Sequence, residues 1–547
     1  MTGDSAWSDQ CRSALAQRAL GEIPKLLTLM DRLPVSATFG CFDRDYWLYR
    51  VTDFPCGMSQ EFVLPLALAW ALDMPGNHYR GAPELRRWVE AGIGFAARSA
   101  HADGSCDDYY PHEHAVGASA FSLLAMLDAS DIIGLADQEV DAFLQRRARW
   151  LAGHRESGRL SNHEALVAAC LARMAARFGP EWEAPLRQRL DRLLAWQSDE
   201  GWFDEYGGAD PGYLTLTIGL LADIDRRRPD LGLRPAIGRA IGFLAAFVHP
   251  DGSVGGEYTS RATLNFFPHG LEIAGRWSPL ARAINDHALQ PLVEGRQPCF
   301  SDDRIIGHHL WSWMLAWQLW SADRPGPLAL PRTSLDFPAA RLAVEVQGDT
   351  RLYCGWSRGG AFKLFEGAAL VASDTGPTLR TRSGRIAVTH LDGAVLAERT
   401  PRRLRVEGRM AWADATLLDP VRSITLRLLM LLLGRFRPDR VRALLQRRLV
   451  TGRRDAPYRF ERLIEWREGG WIVQDRIIPD RDWRDVAQIG ASGFQTSTAT
   501  VMSRVWQEDQ LQPWQDWTPR LATCGHDAPL EVERSYPAVQ ERRCAAC

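Results

Sequence analysis

Residues Ser198–Asp225, SDEGWFDEYGGADPGYLTLTIGLLADID, run from an acidic, aromatic, glycine-rich turn straight into an apolar stretch of helical character. Tyr213 stands at the junction. The same arrangement recurs along the first 310 residues, at Gly57 in DFPCGMSQE, Gly104 in HADGSCDD, Gly158 in RESGRLSNHE, Gly201 here, Gly252 in HPDGSVGGE, and near Asp302 in FSDDRIIGHH. The intervals are 47, 54, 43, 51 and 50 residues, a period that signals a repeat architecture. The runs that follow are EFVLPLALAWAL, HAVGASAFSLLAML, HEALVAACLARMA, GYLTLTIGLLADI, ATLNFFPHGLEIAG and HHLWSWMLAWQLW, and arginine-rich amphipathic segments lie between them. A helix apolar nearly all round is buried, and one with a charged face meets water. Six buried and six half-exposed helices describe an inner ring within an outer ring, an (α/α)6 toroid over residues 1–325. If the inner helices run parallel, their six leading turns converge on one rim. Helix N-termini there present free N–H groups to an anionic ligand.

From about Leu328 the pattern changes to apolar/polar alternation cut by glycine turns, as in ARLAVEVQGDTRLYCGWSRGGAFKLFEGAALVASD. Half-buried antiparallel strands read this way. The expected fold class is therefore α+β multidomain: the toroid, a proline-rich linker, and an antiparallel β-sandwich over 331–547. An insertion at about 420–455 breaks the strand pattern. It carries LLMLLL and ten arginines from Arg422 to Arg454 against one acid, Asp439. It is too short to span a bilayer; two readings stand, short helices on an anionic membrane surface or a basic hairpin docked on its own protein.

With 547 residues the chain holds more than one core. A net charge of −2 excludes a general nucleic-acid binder. The N-terminus shows no basic region followed by an apolar one, so a cytoplasmic location, with the ten cysteines reduced, is expected. No cofactor is expected. Cys524, His526, Cys544 and Cys547 are zinc-type ligands, but in a spacing that fits no common finger.

The rim turns offer Gln60 and Glu61, His114, Asn162 and His163, Glu205, Asp210 and Tyr213, Glu257, Tyr258 and Arg261, and His308 and His309. Capping explains Asn162 and Asp210 but not His163, Tyr213 or Arg261. Three chemistries compete. Metal hydrolysis lacks an HExxH or similar cluster. Glycoside hydrolysis needs two carboxylates across a sugar, which Glu205, Asp210 and Glu257 would supply. Proton abstraction alpha to a carboxylate, on a uronate glycan, needs a group to neutralise that carboxylate, a base beside C5, and an acid at the leaving O4. Arg261 or Asn162 suits the first task, and Tyr213 with His163 the others. Tyr213 ionises near pH 10 unless a cation lowers it, a task for Arg261.

The order of toroid then sandwich resembles the heparinase II/III-like and alginate-lyase group of polysaccharide lyases, whose architecture the uronyl C5-epimerase of dermatan sulfate synthesis shares. SNHEA at Ser161 is similar to the segment where that group carries an Asn or His, and FDEYGGADPGYL to the glycine-rich acidic segment that carries its Tyr. The resemblance implies catalysis by Asn162 or His163 with Tyr213 and a further His. In that group the further His comes from a His-rich strand; here His390 is the sole β-domain histidine before the tail, and His269 in NFFPHGLE is expected to substitute. The implied activity is β-elimination on an anionic uronate polysaccharide. C5-epimerisation, glycoside hydrolysis, and a non-catalytic glycan-binding or assembly role are the alternatives. The substrate-binding set is Gln60, Glu61, His114, Glu205, Asp210, Glu257, Tyr258, His308 and His309.

Overall fold

A computed structural model describes residues 2–537 except 157, 297–298, 301–305, 325–327, 392, 401, 414–418, 437–439, 442–452, 468, 492, 494–504 and 507–513. Cys544 and Cys547, and much of the 420–455 insertion, lie outside the described residues. The helices in chain order are α1 (Thr2–Leu29), the one-turn α2 (Arg44–Trp47), α3 (Val63–Ala71), α4 (Pro83–Ser99), α5 (Val116–Ile133), α6 (Gln138–Gly153), α7 (Ser161–Phe178), α8 (Glu183–Leu194), α9 (Pro211–Arg227), α10 (Arg234–Ala245), α11 (His269–Ala274), α12 (Pro279–Val293) and α13 (Ile306–Leu319). The apolar runs form α3, α5, α7, α9, α11 and α13. Each packs on the next, and α13 packs back on α3, which closes the inner ring. The amphipathic segments α4, α6, α8, α10 and α12 lie outside, and α1 completes the outer ring beside α12.

The inner helices are parallel. Near their starts, Glu205 ahead of α9 bonds Ser161 and Asn162 of α7. Near their ends, Arg173 of α7 pairs with Asp128 of α5 and Asp223 of α9. α5 is long and apolar enough to cross a membrane but is buried within this ring, where every face meets another helix.

The fifth inner helix departs from expectation. ATLNFFPHGLEIAG forms only the short α11, with Pro268 at its N-cap. Proline disfavours helical geometry in the residue before it, so the chain through Phe267 stays irregular and the helix starts late.

Apart from the short strand Cys299–Phe300, which pairs with Val505–Trp506, the strands follow from Leu335. Five of them (Leu335–Phe337, Leu342–Gln347, Thr350–Gly355, Ala361–Glu366 and Ala369–Asp374) form an antiparallel meander. A second antiparallel sheet of nine strands is centred on Arg403–Ala413, Asp455–Arg467 and Gly470–Pro479. Period-two alternation decides what each face of the meander covers. Ala361, Lys363 and Phe365 turn to the toroid, while Phe362 and Leu364 join Leu379, Val406 and Phe460 between the sheets. Inside the sandwich the wholly buried Arg462 is held by Asp374 and Asp475. Of the insertion, α14 (Pro420–Leu429) and a wide turn at Met430–Gly434 are described.

Candidate active site

The rim turns are stitched edge to edge. The first meets the second where the Gly57 amide donates to the Asp107 carbonyl at 2.7 Å. The third meets the fourth where the Tyr206 amide donates to the Arg159 carbonyl at 2.8 Å. The fourth meets the fifth through Asp210, and the sixth returns to the first through His308 and Glu61, 2.9 Å apart. Non-glycine residues with left-handed backbone gather here: His112, His114, Tyr206 and Ala262, with φ of 58°, 51°, 57° and 55°. Such strain collects at functional sites.

Glu205 organises one sector. Its carboxylate accepts from Ser161 Oγ and Asn162 Nδ2, each at 2.8 Å, and from the Asn162 amide at 3.3 Å. Burial pushes its carboxyl above the usual range, and these donors with His163 and Arg261 pull the other way. His163 follows on α7. Its Nδ1 meets the Glu156 carboxylate, an acceptor, so Nδ1 carries a hydrogen, and in the neutral ring Nε2 holds the lone pair. The ring abuts Gly117, where a Cβ would stand 2.7 Å from Cε1.

Tyr213 opens α9, its amide capped by Asp210 at 2.9 Å. The phenol is raised above its ordinary value of 10. Burial is the main cause, and Glu205, Asp210 and Tyr206 add to it; Arg261 lowers it, but by less. The expectation that Arg261 would bring Tyr213 below its ordinary value is thus corrected: desolvation wins and the phenol stays protonated. Arg261 lies over the Tyr206 ring at 4.2 Å. Among the described residues its guanidinium has no hydrogen-bond or ion-pair partner, and Nε is buried without one. Arg358 of the β-domain fixes the preceding turn by donating to the Thr259 and Ser260 carbonyls at 2.9 and 2.7 Å.

Asn162, His163, Glu205, Tyr213 and Arg261 therefore share one sector of the rim. His269 does not. The late start of α11 sets it against Gly219, midway along α9, with Nδ1 2.7 Å from Ser312 Oγ. Burial lowers it to about 4, so it is a neutral core residue, and its expected assisting role is not supported by position. The expected substrate-binding residues mostly serve the fold. Both Asp210 oxygens are engaged, by the Tyr213 and Arg261 backbone amides and the Thr259 and Thr263 hydroxyls. Glu257 pairs with Lys363 at 3.2 Å across the domain interface instead of with Arg261. Tyr258 is wholly buried on His249, 2.9 Å away. Glu61 is buried under His308, and His309 stacks on Phe267 at 4.7 Å. His114 bonds Ser105 at 2.6 Å and stacks on His101. Gln60 keeps a place on a pocket of about 260 Å³ shared with His101, His112, Arg427 and Leu431. Since Glu205, Asp210 and Glu257 are buried and partnered, no pair of them flanks an open cleft as a glycosidase requires.

Sequence reading missed Tyr206 and Glu156. Tyr206 carries a signal in hindsight, an aromatic residue in the glycine turn EYGG; Glu156 carries none, because its role depends on where His163 points. Among the described residues no cluster of His, Cys, Asp and Glu fits a metal ion. Cys524 donates to the Ala528 and Pro529 carbonyls.

A closed helical toroid followed by an antiparallel sandwich is the fold of solved polysaccharide lyases. The Streptomyces coelicolor A3 chondroitin AC lyase, solved in complex with chondroitin sulphate, matches with a TM-score of 0.55 at 12% identity, over 100% of this chain and 84% of that one. Paenibacillus xanthan lyase matches with a TM-score of 0.52 at 11% identity, over 89% of this chain and 47% of that one. The chain thus spans about half the length of the xanthan lyase. At these identities the likeness is one of fold. No protein-family model matches the sequence, and no curated protein matches it.

Proposed function

We propose that this protein is a lyase-type enzyme acting on an anionic, uronate-containing polysaccharide by abstraction of the C5 proton and β-elimination. The observation that carries the reading is the Arg261 guanidinium, which makes no hydrogen bond or ion pair among the described residues, in the sector of Tyr213, Glu205 and His163. A charge left without a protein partner in a sheltered site is costly, and a substrate carboxylate supplies the missing one. Arg261 neutralises that carboxylate and so acidifies C5–H. His163, its tautomer set by Glu156, takes the proton on Nε2. The C5–H electrons form the C4=C5 double bond as C4–O4 breaks, and Tyr213 gives its phenolic proton to O4. A phenol raised by burial suits the donor role, whereas a resting phenolate base would need it lowered. Asn162 holds Glu205 and hence the wall of the site.

The test incubates the purified protein with uronate polysaccharides, chondroitin sulphate and xanthan among them, in D2O. Rising ultraviolet absorbance from the unsaturated uronate, abolished by Tyr213→Phe, is the expected result. Deuterium at C5 without absorbance would mean epimerisation instead. Neither signal on any uronate substrate, with ligand affinity unchanged in Tyr213→Phe, would leave a non-catalytic glycan-binding role.

A further inference from the structure

The described part of the insertion, Pro420–Gly434, packs on the toroid and not into the sandwich core. Arg427 of α14 reaches the toroid, pairing with Asp53 at 2.5 Å and lying over Phe54, and Leu431 lines the pocket of Gln60 and His112. Met430 is wholly buried. Away from that pocket the segment is bare: Val421, Ile424, Leu428, Leu432 and Phe436 are between 52% and 73% exposed. Their spacing of three and then four residues sets them on one side of a helix, and the wide turn at Met430–Gly434 extends the row. The same corner carries exposed Leu48, Tyr49 and Val51, two to five residues before Asp53. Arg422, Arg435 and Arg440 are exposed around it.

We propose that this surface seats the protein on an anionic lipid bilayer, with the apolar row in the headgroup–acyl boundary and the arginines among anionic headgroups. So many large apolar side chains facing water together mark an interaction surface. The charge decides between occupants. In a two-fold pairing with a second copy the same patch meets itself, so a rim carrying Arg435 and Arg440 would face a rim of the same charge. An anionic surface attracts the same arginines, and an amphipathic helix of this kind lies in the interface plane. Arg427 fixes α14 to the first rim turn, so the docked protein holds that edge of the rim at the bilayer. The inference stands apart from the lyase reading, because it concerns a surface that the reaction does not use.

Flotation of the full chain with vesicles tests it, using phosphatidylcholine alone and phosphatidylcholine with about 30% phosphatidylglycerol. The protein is expected to float with the anionic vesicles only and to lose binding in high salt. Ile424→Ser with Leu428→Ser and Leu432→Ser should lower partitioning by about tenfold or more without shifting thermal unfolding, since these side chains face solvent. Arg435→Glu with Arg440→Glu, which leaves the apolar row intact, should lower anionic binding as well. Failure of the wild type to float, or flotation unaffected by both variants, overturns the proposal. So does a wild-type dimer in light scattering that the serine variant converts to monomer, which would make the face an interface between copies.

Discussion

Arg261→Gln separates the chemistry of the rim from its architecture. Within the protein the guanidinium makes a single described contact, the cation–π stack 4.2 Å above Tyr206, worth about 0.5–1 kcal/mol at a half-exposed site. Removing the charge also relieves the desolvation of a buried, unpartnered Nε, so unfolding free energy should change by less than about 1 kcal/mol. The transition state has far more to lose. Abstraction at C5 turns the substrate carboxylate into an enolate bearing a second negative charge, and a preorganised donor facing such a charge is worth about 3–4 kcal/mol. The expected loss in kcat/KM is therefore about a hundredfold to a thousandfold. Arg261 also pulls the Tyr213 phenol down, so the alkaline limb of the pH–rate profile should move upward in any residual activity. Arg261→Lys should restore only part of the rate, since an ammonium cannot grip a carboxylate with two parallel hydrogen bonds. Initial rates from ultraviolet absorbance, with thermal unfolding of the same preparations, give both numbers. A variant active to within about threefold of wild type, or one that melts far earlier at full activity per folded molecule, would refute the assignment.

Gly117→Ala places a methyl 2.7 Å from the His163 ring; the imidazole must shift, and activity should fall about tenfold to a hundredfold while circular dichroism of the helix-rich fold stays unchanged. Lys363→Met strands the buried Glu257 carboxylate, partnered at 3.2 Å in the native protein, and should cost about 3–5 kcal/mol in denaturant unfolding. Adding Glu257→Gln should recover much of that loss. His269 falls from 6.5 to about 4 on burial, so between those values the unfolded chain binds a proton that the folded one refuses. Stability present above pH 6.5 is lost as pH falls toward 4, by about 3 kcal/mol. His269→Gln should flatten that slope of unfolding free energy against pH, and an unchanged slope would show that the imidazole is not the group responsible.

Six apolar runs at near-constant spacing, each behind a polar turn, are a local property of the chain. Burial of an entire helix circumference is written in its composition, so the toroid was legible, as were the strands, whose alternation turns Ala361, Lys363 and Phe365 one way and Phe362 and Leu364 the other. The gathering of Asn162, His163, Tyr213 and Arg261 at one rim followed from that geometry alone. Local pattern does not say which polar groups at the rim already have partners, because those partners arrive from elsewhere in the chain. Glu61 meets His308 across 247 positions, Glu257 meets Lys363 of the other domain, and Asp210 binds the whole fifth turn, so these acids are absorbed by the fold. His269 failed for a nearer reason, the late helix start imposed by Pro268. Sequence by itself determined the ring, the sandwich and the residue types at the rim, since helix and strand periodicity depend on neighbours a few residues away. Only the tertiary structure decided that the Arg261 guanidinium makes no hydrogen bond or ion pair among the described residues while the carboxylates around it are partnered, because hydrogen-bond and ion-pair satisfaction is settled by distances in space.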